Sequence, residues 1–130
     1  MVKRKVSAKM FFQDREFSNR KLMNQYTIDC LESFRTELRF VINLTADYAT
    51  GGHSDKSYHY QGMAIDGNTK APLDLFIRLA IKHGFRGIGL YIENGLIKYF
   101  HLDTRPEAPQ MWLGFIGKDG IINYIYRLGV

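Results

Sequence analysis

Two short stretches of the sequence carry side chains that could bind a metal ion. The first contains His59 and Asp66, and the second, further along the chain, contains His101 and Asp103. Two imidazoles and a carboxylate, from His59, His101 and Asp66, are the ligand set of a catalytic zinc site, which keeps a fourth position for water. An aspartate at the end of a buried strand is costly unless a cation or hydrogen bonds compensate its charge. These residue types therefore predict a Zn²⁺ site.

Hydrolysis at such a site requires a group that accepts a proton from water. Asp103 is the first candidate, because it shares one face of a predicted strand with His101. Glu93, in the preceding turn, is the second candidate and requires the hairpin to curl over the site. The alternative role for Asp103 is to orient a ligand histidine. The competing interpretation of the whole set is that His59 and His101 are ordinary polar residues and Asp66 belongs to a turn.

The spacing of these residues resembles that of a known family. Ser-x-His-x-x-Gly-x-Ala-x-Asp at 57–66, followed by His-x-Asp at 101–103, is similar to the zinc D-alanyl-D-alanine carboxypeptidases of the M15 peptidase group. Gly-Gly at 51–52 and Gly-x-Gly-x-Tyr at 87–91 resemble the short bacterial and phage branch of that group. The likeness covers residues 25–115.

The resemblance implies a fold, an activity and a partner. The fold would be the small α+β one shared with the hedgehog signalling domain and with several phage endolysins. The activity would be zinc-dependent hydrolysis of peptidoglycan stem peptides near a D-amino acid, as a carboxypeptidase or an endopeptidase, with Zn²⁺ on His59, Asp66 and His101. The partner would be peptidoglycan. The alternative is a non-catalytic, zinc-binding structural component that contacts other proteins of a phage virion.

The chain departs from the family pattern at two places. Relatives often carry an acidic residue three positions before the last zinc histidine, or a histidine two positions before it, where this chain has Lys98 and Tyr99. Relatives also carry a substrate-binding arginine before the first motif, and the stretch 45–48 has none. Both departures favour the non-catalytic alternative.

Other side chains near the motifs are candidates for substrate contacts. Ser57 could hydrogen-bond substrate or a ligand, and Tyr91 could stack on substrate or fill the core. Arg105 could hold a substrate anion or be a solvated surface charge. His53 matches neither motif and is expected to border the cleft.

The hydrophobic periodicity predicts an α+β fold with helices packed on a small, mainly antiparallel sheet. A helix with Thr27 as its N-cap is expected over 28–38, and a second helix from about 71 to a stop at Gly84. A turn is expected at 67–70 and an Asn-Gly hairpin at 94–95. Strands are expected at 39–45, 63–65, 87–92, 96–103, 112–116 and 121–127.

Length and charge limit the remaining interpretations. A chain of 130 residues is expected to form one domain, 1–130, in which the structure of 1–24 is left uncertain. The sequence has no long apolar run that predicts a membrane span, and no apolar stretch after the basic start that predicts a signal peptide. Its net charge of +5 suits a polyanion, but the basic residues form no stripe, so nucleic acid ranks last. We expect a protein made in the cytoplasm that acts at the bacterial cell wall or is carried in a virion.

Overall fold

The computed structural model describes residues 11–53 and 56–129 and confirms a mixed α+β fold. Its helices are α1 (Gln25–Leu38) and α2 (Leu73–Lys82). Its strands are β1 (Ile42–Ala46), β2 (Ala64–Thr69), β3 (Gly87–Glu93), β4 (Leu96–Asp103), β5 (Gln110–Ile116) and β6 (Ile122–Gly129). Three short 3₁₀ turns lie at Asp14–Glu16, Arg20–Leu22 and Tyr58–Gln61. None of the helices in the described part of the chain is long and apolar enough to cross a membrane.

The six strands form one sheet in the order β1-β2-β4-β3-β5-β6. Neighbouring strands are antiparallel except β3 and β5, which are parallel. The parallel pair arises because residues 104–109 carry the chain from the end of β4 past the start of β3. Strand β5 then runs in the direction of β3 on its other side. The prediction of a mainly antiparallel sheet therefore holds with this one exception.

The two faces of the sheet have different roles because side chains alternate along a strand. Ile65, Phe100 and Leu102 are at most 1% exposed and point to the face that carries the helices. Phe76 of α2 packs on Phe100 with ring centroids 4.9 Å apart, and edge-on against Phe34 of α1 at 5.1 Å. The residues that alternate with the core residues along β2 and β4, including Asp66 and His101, point to the opposite face. The strands that build the core thus also present the candidate site.

The first helix begins earlier than predicted. Asn24 is its N-cap, since its side-chain oxygen accepts a hydrogen bond from the Thr27 backbone N–H at 3.0 Å. The prediction that Thr27 is the cap was therefore wrong. Thr27 lies buried in the first turn, and its hydroxyl is 2.6 Å from the hydroxyl of Thr104. This contact ties the start of α1 to the segment that follows the His-x-Asp motif at 101–103.

The predicted turn at 67–70 is instead strand as far as Thr69. Ile42 of β1 pairs with Thr69 and Leu44 pairs with Gly67, so ladder hydrogen bonds override the local turn propensity. Strand β1 starts at Ile42 rather than at residue 39, because Arg39 has a left-handed φ of 64° at the end of α1. The remaining strand predictions agree with the structure to within two residues at each end.

The segment before α1 contributes to the core. Phe12, Phe17 and Met23 are each 6 or 7% exposed, although the two 3₁₀ turns between them bury none of their own residues. Residues 1–10 of the segment that was left uncertain lie outside the described residues.

Candidate metal centre

Strand register brings the two motifs together. Asp66 of β2 pairs with His101 of β4, His101 pairs with Gly89 of β3, and Gly89 pairs with Trp112 of β5. We call these four residues, which follow one another across the sheet, the metal row. Because paired residues point to the same face, Asp66 and His101 are held side by side on rigid strands.

His59 reaches the metal row from the 3₁₀ turn that precedes β2. Gly62 ends this turn with a φ of +69°, a conformation that side chains other than glycine rarely adopt. Its carbonyl accepts a hydrogen bond from the Asn24 backbone N–H at 2.9 Å. The Ser57 side chain accepts one from the His59 backbone N–H at 3.1 Å. Gly62 therefore ends the turn, and Ser57 serves to position it.

The orientation of His59 leaves one ring nitrogen facing a carboxylate. Its Nδ1 lies 2.7 Å from the backbone carbonyl oxygen of Asp47, which can only accept, so Nδ1 carries the hydrogen. Nε2 of the neutral ring then presents a lone pair 3.2 Å from Oδ1 of Asp66. Nε2 is buried and has no hydrogen-bond partner in the part of the chain that the structure describes. Two electron-rich atoms at this separation require a cation or a proton between them.

His101 repeats this arrangement from the other side. Its Nε2 lies 2.6 Å from Oδ2 of Asp103, and its Nδ1 lies 3.0 Å from Oδ1 of Asp66. When Nε2–H donates to Asp103, Nδ1 turns its lone pair towards Asp66. Nε2 of His59 and Nδ1 of His101 therefore both face the same oxygen, Oδ1 of Asp66, at 3.2 and 3.0 Å. Each histidine is oriented by an acceptor on its second nitrogen, as is usual for metal-binding histidines.

Asp103 is fully buried beneath Arg105. Its Oδ1 accepts hydrogen bonds from the backbone N–H and Nε of Arg105, at 3.1 and 2.8 Å, and Oδ2 accepts one from Nη2 at 2.7 Å. Oδ2 also meets Nε2 of His101, so both carboxylate oxygens are engaged. This geometry favours the alternative role, in which Asp103 orients His101.

Arg105 lines the cavity and is held by Asp103. Its side chain is only 11% exposed, so it is not a solvated surface charge. Nε and Nη2 of its guanidinium group donate hydrogen bonds to Asp103. The same group lies 4.8 Å from the ring centre of Tyr58 and 5.8 Å from that of Trp112. Arg105 therefore neutralises Asp103 and packs between two aromatic rings.

The ionisation of the site is set by these contacts. Burial alone would raise the pKa of Asp66, but its contacts with the rings of His101 and His59 outweigh burial and hold that pKa well below the usual range. Burial likewise opposes the shift at Asp103, whose pKa is lowered to about 2 by Arg105 and His101. Burial would lower the pKa of His101, yet contacts with both carboxylates raise it. The site therefore favours a positive charge between its carboxylates.

Two glycines of β3 create room for the site. A Cβ atom built on Gly87 would overlap the Asp103 carboxylate, and one built on Gly89 would overlap the Trp112 indole ring. Trp112 in turn donates a hydrogen bond from Nε1 to the Tyr91 hydroxyl at 3.1 Å. The Gly-x-Gly-x-Tyr pattern at 87–91 thus has a physical reason: the glycines admit two neighbouring side chains, and the tyrosine anchors one of them.

A third histidine lies close to the metal row. His53, His59 and Asp66 each offer one ligand atom, and these atoms all lie within 4.8 Å of one another, so the three could hold a metal ion. His53 does not belong to the ligand set predicted from the sequence, which is His59, Asp66 and His101. Its ring stacks on that of His59 with centroids 4.1 Å apart and an angle of 16° between the planes. The angle between His59 and His101 is 69°.

The ring planes distinguish the two histidine pairs. A nitrogen lone pair lies in the plane of its imidazole, so two nearly parallel, stacked rings are poorly oriented to direct both lone pairs at one ion. As they are placed, His59 and His101 are better oriented than His59 and His53. The hydroxyl of Tyr60 fixes the backbone of His53, accepting from its N–H at 2.9 Å and donating to its carbonyl at 2.7 Å. His53 therefore borders the site, as expected.

Glu93 is not brought to the site. It lies four residues along β3 from Gly89, which corresponds to about 13 Å at roughly 3.3 Å per residue. Its Oε1 is 3.3 Å from Nζ of Lys98, and it lines a different cavity. Glu93 could serve as proton acceptor only if the hairpin curled over the site, and instead β3 and β4 stay paired as far as Glu93.

The metal row opens into a cavity of about 450 Å³. Its lining includes the candidate ligands His59, Asp66 and His101, and also Tyr91, Tyr99 and Tyr124. Neither a scan against models of known protein families nor a search of curated proteins finds a match for the chain. The function must therefore be inferred from the site itself.

Proposed function

We propose that the chain is a zinc-dependent peptidase that hydrolyses amide bonds in peptidoglycan stem peptides. The observation that carries this proposal is that Nε2 of His59 and Nδ1 of His101 approach the same oxygen, Oδ1 of Asp66. Nitrogen and carboxylate ligands suit zinc, and three protein ligands leave a position for substrate. The mixed α+β sheet is compatible with a hedgehog/DD-peptidase-like fold, and the resemblance of the two motifs supplies the substrate class.

Each residue of the site has a separate task in this proposal. Bound Zn²⁺ would lower the pKa of water and polarise the substrate carbonyl. The Asp47 carbonyl and Asp103 hold His59 and His101 with their free nitrogens turned inward. Arg105 keeps Asp103 ionised and fixed. The Trp112 ring, 5.3 Å from that of His101, limits the access of water on one side.

A second candidate function is a non-catalytic zinc-binding component of a phage virion. One observation favours it: Asp103 has both oxygens engaged and Glu93 lies elsewhere, so neither predicted proton acceptor is available beside Asp66. Zinc would then have a structural task. Digestion of purified peptidoglycan separates the two functions, because only the peptidase releases stem-peptide fragments that mass spectrometry can identify.

The metal hypothesis is tested by zinc analysis of three histidine variants. Protein purified without chelator should hold about one zinc per chain, and His59→Ala or His101→Ala should lose it, because each change removes a ligand. His53→Ala is the matched control and should retain zinc. A wild-type protein that binds no zinc would rule out both candidate functions. Loss of zinc in His53→Ala but not in His101→Ala would show that His53, rather than His101, is the third ligand.

Zinc binding should also release protons. The pKa of His101 is raised in the metal-free protein. A fraction of the molecules therefore carries a protonated His101 near neutral pH, and the metal must displace that proton. The apparent affinity for zinc should therefore fall as the pH is lowered through the raised pKa, starting above the ordinary value of about 6.5. Calorimetry in two buffers with different heats of ionisation measures the protons released. A binding heat at pH 7 that does not depend on the buffer would contradict this expectation.

A further inference from the structure

A second row of residues lies beside the metal row. Tyr99 of β4 pairs with Tyr91 of β3, Tyr91 pairs with Gly114 of β5, and Gly114 pairs with Tyr124 of β6. We call these four residues the aromatic row. On β4, β3 and β5 its members are two positions from those of the metal row. The two rows therefore share a face of the sheet, about 7 Å apart.

The rings of the aromatic row are already held in place. Tyr91 and Tyr99 stack with centroids 4.6 Å apart and 20° between their planes, and Tyr124 stands edge-on to Tyr91 at 6.1 Å. The Tyr91 hydroxyl is fixed by Nε1 of Trp112. A Cβ on Gly114 would lie 3.1 Å from the Tyr91 ring, so the glycine lets this ring settle against the strand. A ligand that packs here would have little side-chain freedom to remove.

The row is open to solvent and carries no charge of its own. Tyr124 is 60% exposed and Tyr99 is 37% exposed. The cationic residues that line the cavity, Lys56 and Arg105, belong to other segments. The row therefore offers aromatic surface and phenolic hydroxyls but no ionic partner. These features suit a neutral ligand with one apolar face and a hydroxylated rim.

We propose that the aromatic row binds a pyranose ring of the glycan strand to which the stem peptide is attached. A pyranose presents axial C–H groups that pack on an aromatic ring, while its equatorial hydroxyl and amide groups can hydrogen-bond to phenols. A sugar ring seated on the aromatic row would lie one row from the candidate metal ligands, within reach of a peptide held at His101. This inference rests on the proposed function, because it identifies the second part of the same substrate. It implies that glycan-linked peptides are bound better than free peptides.

The test is calorimetric titration with the trimer of N-acetylglucosamine, which contains the sugar but no peptide. The wild type should bind it, and Tyr124→Ala and Tyr99→Ala should each weaken binding by roughly three- to tenfold, the scale of a lost aromatic contact. Tyr26→Ala is the matched control, because Tyr26 is 59% exposed and lies on α1, away from the cavity. It should bind as tightly as the wild type. Emission of Trp112, the single tryptophan, gives a second readout beside Tyr91.

The outcomes separate this inference from the proposed function. The trimer should bind equally well to His59→Ala, which lacks a metal ligand but retains the aromatic row. Sugar binding without any digestion of peptidoglycan would leave the inference standing and reject the peptidase. Digestion at the wild-type rate by Tyr124→Ala and Tyr99→Ala, with no sugar binding by the wild type, would overturn the inference alone. Preference for tetramethylammonium over the sugar would also overturn it, since the row would then bind a cation.

Discussion

Asp103→Asn should weaken zinc binding by 10- to 100-fold, the usual effect of losing a residue that orients a metal ligand. The carboxylate accepts hydrogen bonds from Arg105 on both oxygens and meets Nε2 of His101 at 2.6 Å. An amide has only one accepting oxygen, so its NH₂ group must face a donor of Arg105 or of His101. Arg105, only 11% exposed, would lose its buried negative partner, which should lower the free energy of unfolding by about 3–5 kcal/mol.

The same variant decides whether Asp103 positions His101 or accepts a proton from water. If it positions His101, excess zinc should restore most of the turnover of Asp103→Asn, because the defect is in metal affinity. If it is the proton acceptor, the fully zinc-loaded variant should remain about 100-fold slower or more. Glu93→Gln is the control: it changes a carboxylate of the same chain that lies outside the cavity, and it should alter neither zinc affinity nor turnover. Full stability together with wild-type zinc affinity in Asp103→Asn would contradict the positioning role.

The second large effect is expected from Gly87→Ala. The added methyl group would occupy the space of the Asp103 carboxylate, which cannot move aside because Arg105 and His101 hold it. Strand β3 cannot move either, since it is paired on both edges, with β4 and β5. Overpacking of this kind lowers the free energy of unfolding by about 1–3 kcal/mol, and more where neither side yields. We expect a lower denaturant midpoint and loss of zinc in the same variant.

Gly51→Ala provides the matched control for this change. A Cβ on Gly51 meets no atom within 4 Å in the part of the chain that the structure describes, and its backbone is not in the left-handed region. This variant should keep the wild-type midpoint and zinc content. Equal midpoints for Gly87→Ala and Gly51→Ala would show that the carboxylate has another position available, and the tight packing argued for β3 would be wrong.

The sequence predicted the proximity of the motifs better than their supporting contacts. Alternation along a strand places His101 opposite the core whatever the rest of the fold, and Asp66 follows from the same rule on β2. The motif order alone favoured grouping them with His59. These inferences depend on local geometry and on residue type, which a sequence displays directly.

The partners of the ligands could not be predicted in this way. The acceptor for His59 is the backbone carbonyl of Asp47, and every residue has such a carbonyl. The direction of the Arg105 guanidinium depends on the depth at which Asp103 is buried, which only the assembled sheet determines. His53 contacts His59 from a loop whose backbone is hydrogen-bonded to the Tyr60 hydroxyl. No periodic pattern in the sequence predicts that contact. Sequence gives side-chain chemistry, whereas these contacts depend on tertiary placement.

The long separation between the interacting segments has a consequence for how the protein is made. Asp66 and His101 are 35 residues apart in the chain, and the Thr27 and Thr104 hydroxyls that meet in the core are 77 apart. Contacts of this kind form only after the entropy of closing long loops has been overcome, which slows folding relative to helical proteins of similar size. On the ribosome, the complete set of ligands cannot exist until β4 has emerged. Zinc would therefore bind late, to a sheet that is already nearly assembled. It would stabilise the folded state rather than initiate folding.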